Sequence, residues 1–241
     1  MRLQVIVWKE SPEGTWQPAY VSPPTLHGAS VNSVAWAPHE LGLVLAAGSS
    51  DGTVSVLTAG ADGGWSATKL SGAGGEAAHL LGVTSVSWAP PSPPGSLVTP
   101  GSGAPLVRRL VTGACDNTAK VWGFDDARGG WALEHTLGGS GAGHADWVRD
   151  AAWAPNLGMP KNTIATAGQD GKVFIWTQSE PNGPWSAALL RDFGAPVWRV
   201  SWSVFGNVLA VADATNAVSL WKEAVDGAWA QVAADAAGGP P

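Results

Sequence analysis

The sequence predicts an all-β protein built from repeated four-stranded sheets, the blades of a β-propeller, with about four and a half blades in 241 residues. Three observations predict it. Tryptophan recurs at fixed places in a repeated unit, with 15 in the chain against one tyrosine and four phenylalanines. Each unit carries about four short apolar segments separated by Gly, Pro, Asn and Asp, the composition of strands joined by tight turns. Finally, 32 glycines, 18 prolines and a charged fraction of only 13% exclude a helical bundle or coiled coil, because long helices would be broken repeatedly.

The chain opens on Val5-Ile6-Val7-Trp8 and Gly14-Thr15-Trp16, which read as the last two strands of an incomplete blade over residues 1–23. Four complete units follow, over residues 24–75, 76–140, 141–191 and 192–235. Their first strands carry Val34-Ala35-Trp36, Val86-Ser87-Trp88, Ala151-Ala152-Trp153 and Val200-Ser201-Trp202. At one constant offset before these tryptophans stand His27, His79, His144 and Phe193. A second element runs from a turn residue to a large apolar one: Asp51 to Leu57, Asp116 to Trp122, Asp170 to Trp176 and Thr215 to Trp221. A Gly-Trp element closes each unit at Trp65, Trp131, Trp185 and Trp229. The units exceed the usual propeller period of ~40–45 residues. The excess reads as loop, most plainly the proline-rich stretch Pro90 to Pro105, and residues 236–241 read as a disordered tail. Half a blade cannot close a ring and leaves strand edges unpaired, so the chain is expected to be incomplete at its N-terminus or to be completed by a partner.

Composition removes several function classes. Thirteen Lys and Arg against 19 Asp and Glu give a net charge of −6, without the basic excess needed for general nucleic-acid binding. The single cysteine, Cys115, cannot form an intrachain disulfide, and no Asn-x-Ser/Thr acceptor occurs, both of which suit a reducing compartment. Met1 to Trp8 lacks a signal-peptide pattern, and no stretch is apolar enough to span a membrane. Three further patterns point away from catalysis. Gly48-Ser49-Ser50-Asp51-Gly52 matches the spacing of a nucleophile elbow, which needs a helix after the serine; here Thr53-Val54-Ser55-Val56 continues as a strand. Gly138 to Gly143 lacks the Lys-Ser/Thr of a phosphate cradle and reads as a linker. Cys115 has no CxxC partner and reads as a small apolar filler. No cofactor or metal is implied: a His or Asp that appears once per unit points at its own unit rather than at one common site.

The units resemble WD repeats. In that family a His before the first strand, an Asp in the turn between the second and third, and a Trp ending the third form a buried hydrogen-bonded support. The resemblance places His144, Asp170 and Trp176 in one such network, His79, Asp116 and Trp122 in a second, and His27 with Asp51 in a third, where Leu57 replaces the tryptophan. Phe193 and Thr215 replace His and Asp in the last unit. The positions three and five after the His, and the one before the Asp, line the upper rim in WD propellers. They are Ser30, Asn32 and Ser50; Gly82, Thr84 and Cys115; Trp147, Arg149 and Gln169; and Pro196, Trp198 and Ala214. Trp147, Arg149, Gln169 and Trp198 are the candidate partner-binding residues, because Trp and Arg dominate binding hot spots; packing between blades is the competing role for either tryptophan.

Longer words are more specific. HGASVNSVAWAPHELGLVLAAGSSDGTVSVLT (27–58), PGSL (94–97), HADWVRDAAWAP (144–155), QDGKVFIWT (169–177), VWRVSWSVFGNVLAV (197–211) and SLWKEAVDGAW (219–229) closely resemble the small WD-repeat subunit of the COPII coat cage. That resemblance implies an open six-bladed propeller, here missing about one and a half N-terminal blades, since Val5 to Trp8 matches the middle of the family's second blade. It implies a non-enzymatic scaffold for ER-to-Golgi vesicle coats. The partners it implies are a large α-solenoid cage subunit that inserts strands as a seventh blade, a subunit of the nuclear pore's Y-shaped scaffold, and in some lineages a complex that regulates the TOR kinase. It places the protein at the cytosolic face of the endoplasmic reticulum, on COPII vesicles and at nuclear pores, peripheral to the membrane through the coat. The other reading from the residues is a peptide-recognition adaptor that uses the rim at Trp147, Arg149 and Trp198.

Overall fold

The computed structural model describes residues 3–72, 74–94, 106–138, 142–156, 160–180 and 183–232. The tail, most of the proline-rich excursion and the middle of the glycine-rich linker lie outside the described residues. Among these residues a hairpin of β1 (Ile6–Glu10) and β2 (Trp16–Val21) precedes four four-stranded antiparallel sheets. The first blade contains β3 (Val31–Trp36), β4 (Val44–Ser49), β5 (Val54–Ala59) and β6 (Trp65–Leu70). The second contains β7 (Val83–Trp88), β8 (Arg109–Ala114), β9 (Ala119–Asp125) and β10 (Gly130–Leu137). The third contains β11 (Val148–Trp153), β12 (Asn162–Gly168), β13 (Lys172–Gln178) and β14 (Ser186–Asp192), and the fourth β15 (Val197–Trp202), β16 (Val208–Asp213), β17 (Val218–Glu223) and β18 (Trp229–Val232). A single turn of 3-10 helix, His39–Leu41, lies between β3 and β4.

Every strand pairs with its sequence neighbour, so each blade is a meander whose geometry is set by its turns. Between the second and third strands the turn residue is left-handed in all four blades: Gly52 (φ 81°), Asn117 (66°), Gly171 (77°) and Asn216 (64°). Gly and Asn tolerate this region best, which is why Asp-Gly and Asp-Asn punctuate the sequence there. Gly52 has a second duty, because its carbonyl accepts the His79 N–H of the next blade at 3.0 Å. A β-carbon at Gly52 would strike the His79 carbonyl oxygen.

The first strands β3, β7, β11 and β15 lie side by side, and the sheets stack face to face. Second strands sit mid-sheet between two neighbours, so their central residues are apolar or small; every residue of β8 and β12 is buried, Arg109 and Asn162 at their starts included. Each core is shared between consecutive blades. Ala46, Val54 and Val56 pack with Val83, Val86 and Trp88; Val111, Ala119 and Val121 with Ala151, Trp153 and Ile164; Ala165, Val173 and Ile175 with Val197, Val200 and Leu209. The hairpin supplies Val5 and Val7 against Leu45, Ala47 and Leu57 of the first blade. Close approach has a steric condition at Gly48, where a β-carbon would lie 2.5 Å from Val83 Cγ1.

Side chains also tie the blades together. Val86 N–H donates to Ser33 Oγ (3.2 Å), Trp153 N–H to Ser87 Oγ (3.0 Å) and Val200 N–H to Asp150 Oδ2 (3.0 Å). The indole N–H groups of Trp88 and Trp202 donate to the Ala35 and Ala152 carbonyls of the preceding blades, at 2.9 and 3.0 Å. Replacing Gly52 with Ala combines a left-handed β-carbon with a clash against the next blade. The substitution is expected to destabilise the fold by about 1–3 kcal/mol in urea unfolding, with no change of secondary structure by circular dichroism.

Candidate functional site

In the second blade His79 is fully buried before β7. Its Nδ1 lies 2.9 Å from Asp116 Oδ2 and its Nε2 2.7 Å from Thr112 Oγ1, which also accepts the Trp122 indole N–H at 3.0 Å. The third blade repeats the chain. His144 Nδ1 lies 3.0 Å from Asp170 and its Nε2 2.9 Å from Thr166 Oγ1, which accepts from Trp176 Nε1 at 2.9 Å. Each Asp also fixes its turn, Asp116 by accepting from Thr118 N–H and Oγ1 and Asp170 from Ala145 and Lys172 N–H. Thr112 and Thr166 are the members that the sequence reading missed. The available signal was a threonine four residues before each turn Asp.

The first blade departs twice and compensates once. Ala47 stands where Thr112 and Thr166 stand, and Leu57 where the indole donor stands, so donor and acceptor are both absent. His27 turns to β5 instead, with Nδ1 2.8 Å from Thr53 Oγ1 and Nε2 2.8 Å from Ser55 Oγ. Asp51 accepts from Thr53 N–H and Oγ1 and from Gly28 N–H, and reaches His27 only through Thr53. In the fourth blade Phe193 packs edge-on against Trp221 with centroids 6.1 Å apart, and Trp221 Nε1 donates to Ser219 Oγ. There Asp213, two residues before Thr215, holds the turn by accepting from Thr215 and Ala217 N–H.

Burial holds His27 and His79 below the usual histidine value of 6.5, against the pull of Asp51 and Asp116 respectively. Burial would raise the three carboxylates, but their hydrogen bonds win. Asp51 is lowered to about 2, and Asp116 and Asp170 also titrate below the usual carboxylate value of 3.8. Asp150 behaves oppositely: burial raises it, against the N–H groups of Val200 and Ala151 and the charge of Arg199. These are properties of a support for the fold. Among the described residues no three His, Cys, Asp or Glu side chains are placed to hold a metal ion. Ser50 exchanges hydrogen bonds with Asn32 rather than with a histidine, and burial raises the Cys115 thiol, against the nearby Arg149 charge.

The four candidate partner-binding residues come together where the third and fourth blades meet. Arg149 Cζ lies 5.0 Å from the Trp147 ring centroid and 4.7 Å from that of Trp198, so the guanidinium is sandwiched. Its Nε donates to Gln169 Oε1 at 2.8 Å, and the Gln169 N–H donates to the Trp147 carbonyl. Trp147 is 43% and Trp198 48% exposed, so neither is packed away between blades.

A second surface lies on the far face of the fourth blade. Residues Ala210, Ala212, Val218 and Leu220 occupy the register of Ala165, Ala167, Val173 and Ile175 in the third blade. The third-blade set is covered by the fourth blade, with Val173 at 0% exposure, whereas Val218 is 70% and Leu220 44% exposed.

Four consecutive sheets, each with this turn chemistry, define a protein of the WD-repeat propeller class. A family profile described as "WD domain, G-beta repeat" matches residues 21–63, 76–123 and 133–177; the fourth blade, with Phe193 and Thr215, lies outside the match. The chain is 41% identical to "Protein transport protein SEC13" of Mycosarcoma maydis over 94% of its length and 72% of that protein's. It is 44% identical to "Protein SEC13 homolog" of Drosophila melanogaster over 95% of its length and 62% of the relative's. With the Homo sapiens homolog it is 45% identical over 76% and 54% respectively. The chain belongs to the Sec13 family of WD-repeat proteins.

Two outcomes follow from the networks. Thr166→Val leaves the Trp176 indole N–H and the His144 Nε2 without their buried partner, and Asp170→Ala removes the other end of the network. Each is expected to cost about 1–3 kcal/mol in urea unfolding, and an unchanged midpoint would contradict the structural role. Acidification is expected to destabilise the fold in two stages. Below about pH 6.5 the unfolded chain takes up protons on His27 and His79 that the folded chain resists, so stability falls. The Asp51, Asp116 and Asp170 contributions are complete above pH 3.8 and are lost as pH falls through their lower folded values, about 2 for Asp51. Urea midpoints measured down this pH range check both stages.

Proposed function

We propose that the protein is a non-catalytic scaffold subunit of the COPII coat, serving protein transport from the endoplasmic reticulum to the Golgi. In this reading its uncovered blade face receives strands from a large α-solenoid cage subunit. Membership of the Sec13 family and the protein-transport names of relatives support the transport role. The observation that carries the partner's mode of binding is the fourth-blade face. Of four positions that are sealed between blades elsewhere, Ala210 and Ala212 are only half-buried there and Val218 and Leu220 are exposed, with Val218 at 70% exposure against 0% for Val173 and for Val54 of the first blade. Covering a Val or Leu side chain fully is worth about 1.5–3 kcal/mol, and another β-sheet is the shape that fits a blade face. Backbone pairing along an open edge would add affinity, with the alternating side chains setting register. The same subunit would serve the nuclear pore scaffold, and in some lineages a TOR-regulating complex, through the same surface. Its place on the membrane is peripheral, through the coat; among the described residues no helix is long and apolar enough to cross a bilayer.

The test is capture of the blade-forming segment of the large cage subunit. Val218→Asp with Leu220→Asp places two charges on the face and is expected to weaken capture at least about tenfold, the scale of burying unpaired charge. Both positions are exposed, so urea unfolding of the uncomplexed double variant should match the parent. Trp147→Ala with Arg149→Ala should leave capture intact. Unchanged capture by the aspartate variant, or loss of capture in the rim variant, would overturn the proposed docking face.

A further inference from the structure

The three junctions between consecutive blades are built alike except at one point. In every blade the pairing of first and second strands shifts register at one place, between Val31 and Ser33, Val83 and Ser85, Val148 and Asp150, and Val197 and Arg199. The residue left over is Asn32, Thr84, Arg149 or Trp198. A bulge releases its extra side chain from the ladder and re-aims it. At the first junction Asn32 Nδ2 donates to the Val83 carbonyl of the next blade at 2.8 Å. At the second, Thr84 Oγ1 donates to the Val148 carbonyl at 2.6 Å. Both close the seam with a short polar side chain.

The third junction lacks that closure. Arg149 cannot repeat the short tie, and its Nε goes to Gln169 of its own blade, as Asn32 Nδ2 also goes to Ser50. The rest of the guanidinium lies between the Trp147 and Trp198 rings, and Trp198 is itself the bulge residue of the fourth blade. Among the described residues no carboxylate forms an ion pair with Arg149, and its Nη1 and Nη2 have no hydrogen-bond partner. Neither nearby carboxylate pairs with it: the exposed Asp146 accepts the Trp147 N–H, and the buried Asp150 accepts from Ala151 and Val200 N–H, with Arg199 beside it. The result is an oriented, unpaired guanidinium fork between two half-exposed indoles on a chain of net charge −6.

We infer that this junction is a docking site for an acidic segment of a partner protein, with one Asp or Glu carboxylate paired to the Arg149 fork and apolar neighbours of that residue on Trp147 and Trp198. An Arg fork matches a carboxylate in two parallel hydrogen bonds, and stacking on the indoles holds it ready for them. The single unpaired cation selects the charge class. A phosphate, at close to two negative charges, is met by clusters of Arg, whereas Arg199 here is turned to Asp150. The proposal concerns a different surface from the fourth-blade face and does not depend on it.

The probe is the peptide acetyl-Leu-Glu-Leu-amide, titrated into the whole chain while the indole N–H resonances of Trp147 and Trp198 are followed, each assigned by substitution with Phe. Saturable shifts of both are expected. Acetyl-Leu-Gln-Leu-amide should bind at least about tenfold more weakly, the size of a charge-assisted hydrogen bond. Arg149→Gln should remove the difference between the peptides, and Arg149→Lys should weaken binding because the charge remains without the fork. An unchanged melting temperature of Arg149→Gln establishes that the fold is intact. No saturable shift at millimolar peptide, equal binding of both peptides, or unaltered binding by Arg149→Gln would overturn the proposal. A phosphoserine peptide that binds more tightly than the Glu peptide, or shifts produced only by phosphatidylserine vesicles, would also overturn it, in favour of phosphate or lipid recognition.

Discussion

A four-stranded blade has two faces and cannot bury either by itself, so each sheet in this molecule depends on stacking against a neighbour. That constraint explains the distribution of residues better than the strand propensities do. The second strands of the first and third blades are buried on both faces through runs of small or branched side chains, Leu45-Ala46-Ala47-Gly48 and Ile164-Ala165-Thr166-Ala167-Gly168, while the outermost strands β6 and β14 are largely exposed. The shared cores join a face of one blade to the first strand of the next, which makes sheet stacking rather than the single blade the unit of stability. Where a neighbour is absent, the same residue types become exposed, as Val218 and Leu220 are.

The polar networks are subordinate to this packing. In the second and third blades, one threonine hydroxyl joins a histidine to an indole, and one carboxylate joins the histidine to the turn, so the buried His, Thr and Trp polar atoms of each network all have partners. Low local polarity makes such a chain worth keeping whole and costly to break in the middle. The first blade illustrates the rule through its exceptions. Losing both the threonine and the tryptophan, at Ala47 and Leu57, removes a matched donor and acceptor, and Ser55 takes over the free end of His27. In the fourth blade Phe193 and Val211 replace the histidine and threonine while Trp221 stays, and an edge-on aromatic contact fills the place of the hydrogen bonds.

Much of this was legible along the chain. The tryptophan-centred repeat, the Asp-Gly and Asp-Asn turns and the glycine punctuation mark the sheets and their order, because hairpins are local and a left-handed turn residue leaves a visible signature. The positions Trp147, Arg149, Gln169 and Trp198 could be named from the resemblance to WD repeats. Their arrangement could not: that Arg149 lies between the two indoles depends on a bulge in each of two first strands, and a bulge adds one residue without marking the sequence around it. Thr112 and Thr166 were missed for a related reason. A threonine on a strand looks like any β-branched residue until the fold brings a ring nitrogen and an indole to the same hydroxyl.

The sequence by itself determined the class of structure, the meander of each sheet, the turn residues and the aspartate, histidine and tryptophan positions, since all of these follow from periodicity and from conformational preferences within a few residues. Only the tertiary structure decided which partner each polar atom takes, and which of the repeated rim residues seal a junction and which remain open. Those outcomes depend on contacts between residues tens of positions apart, such as Asn32 with Val83, Arg149 with Trp198 and Asp150 with Val200. Local preference carries no information about such contacts; they are fixed when one sheet settles against the next.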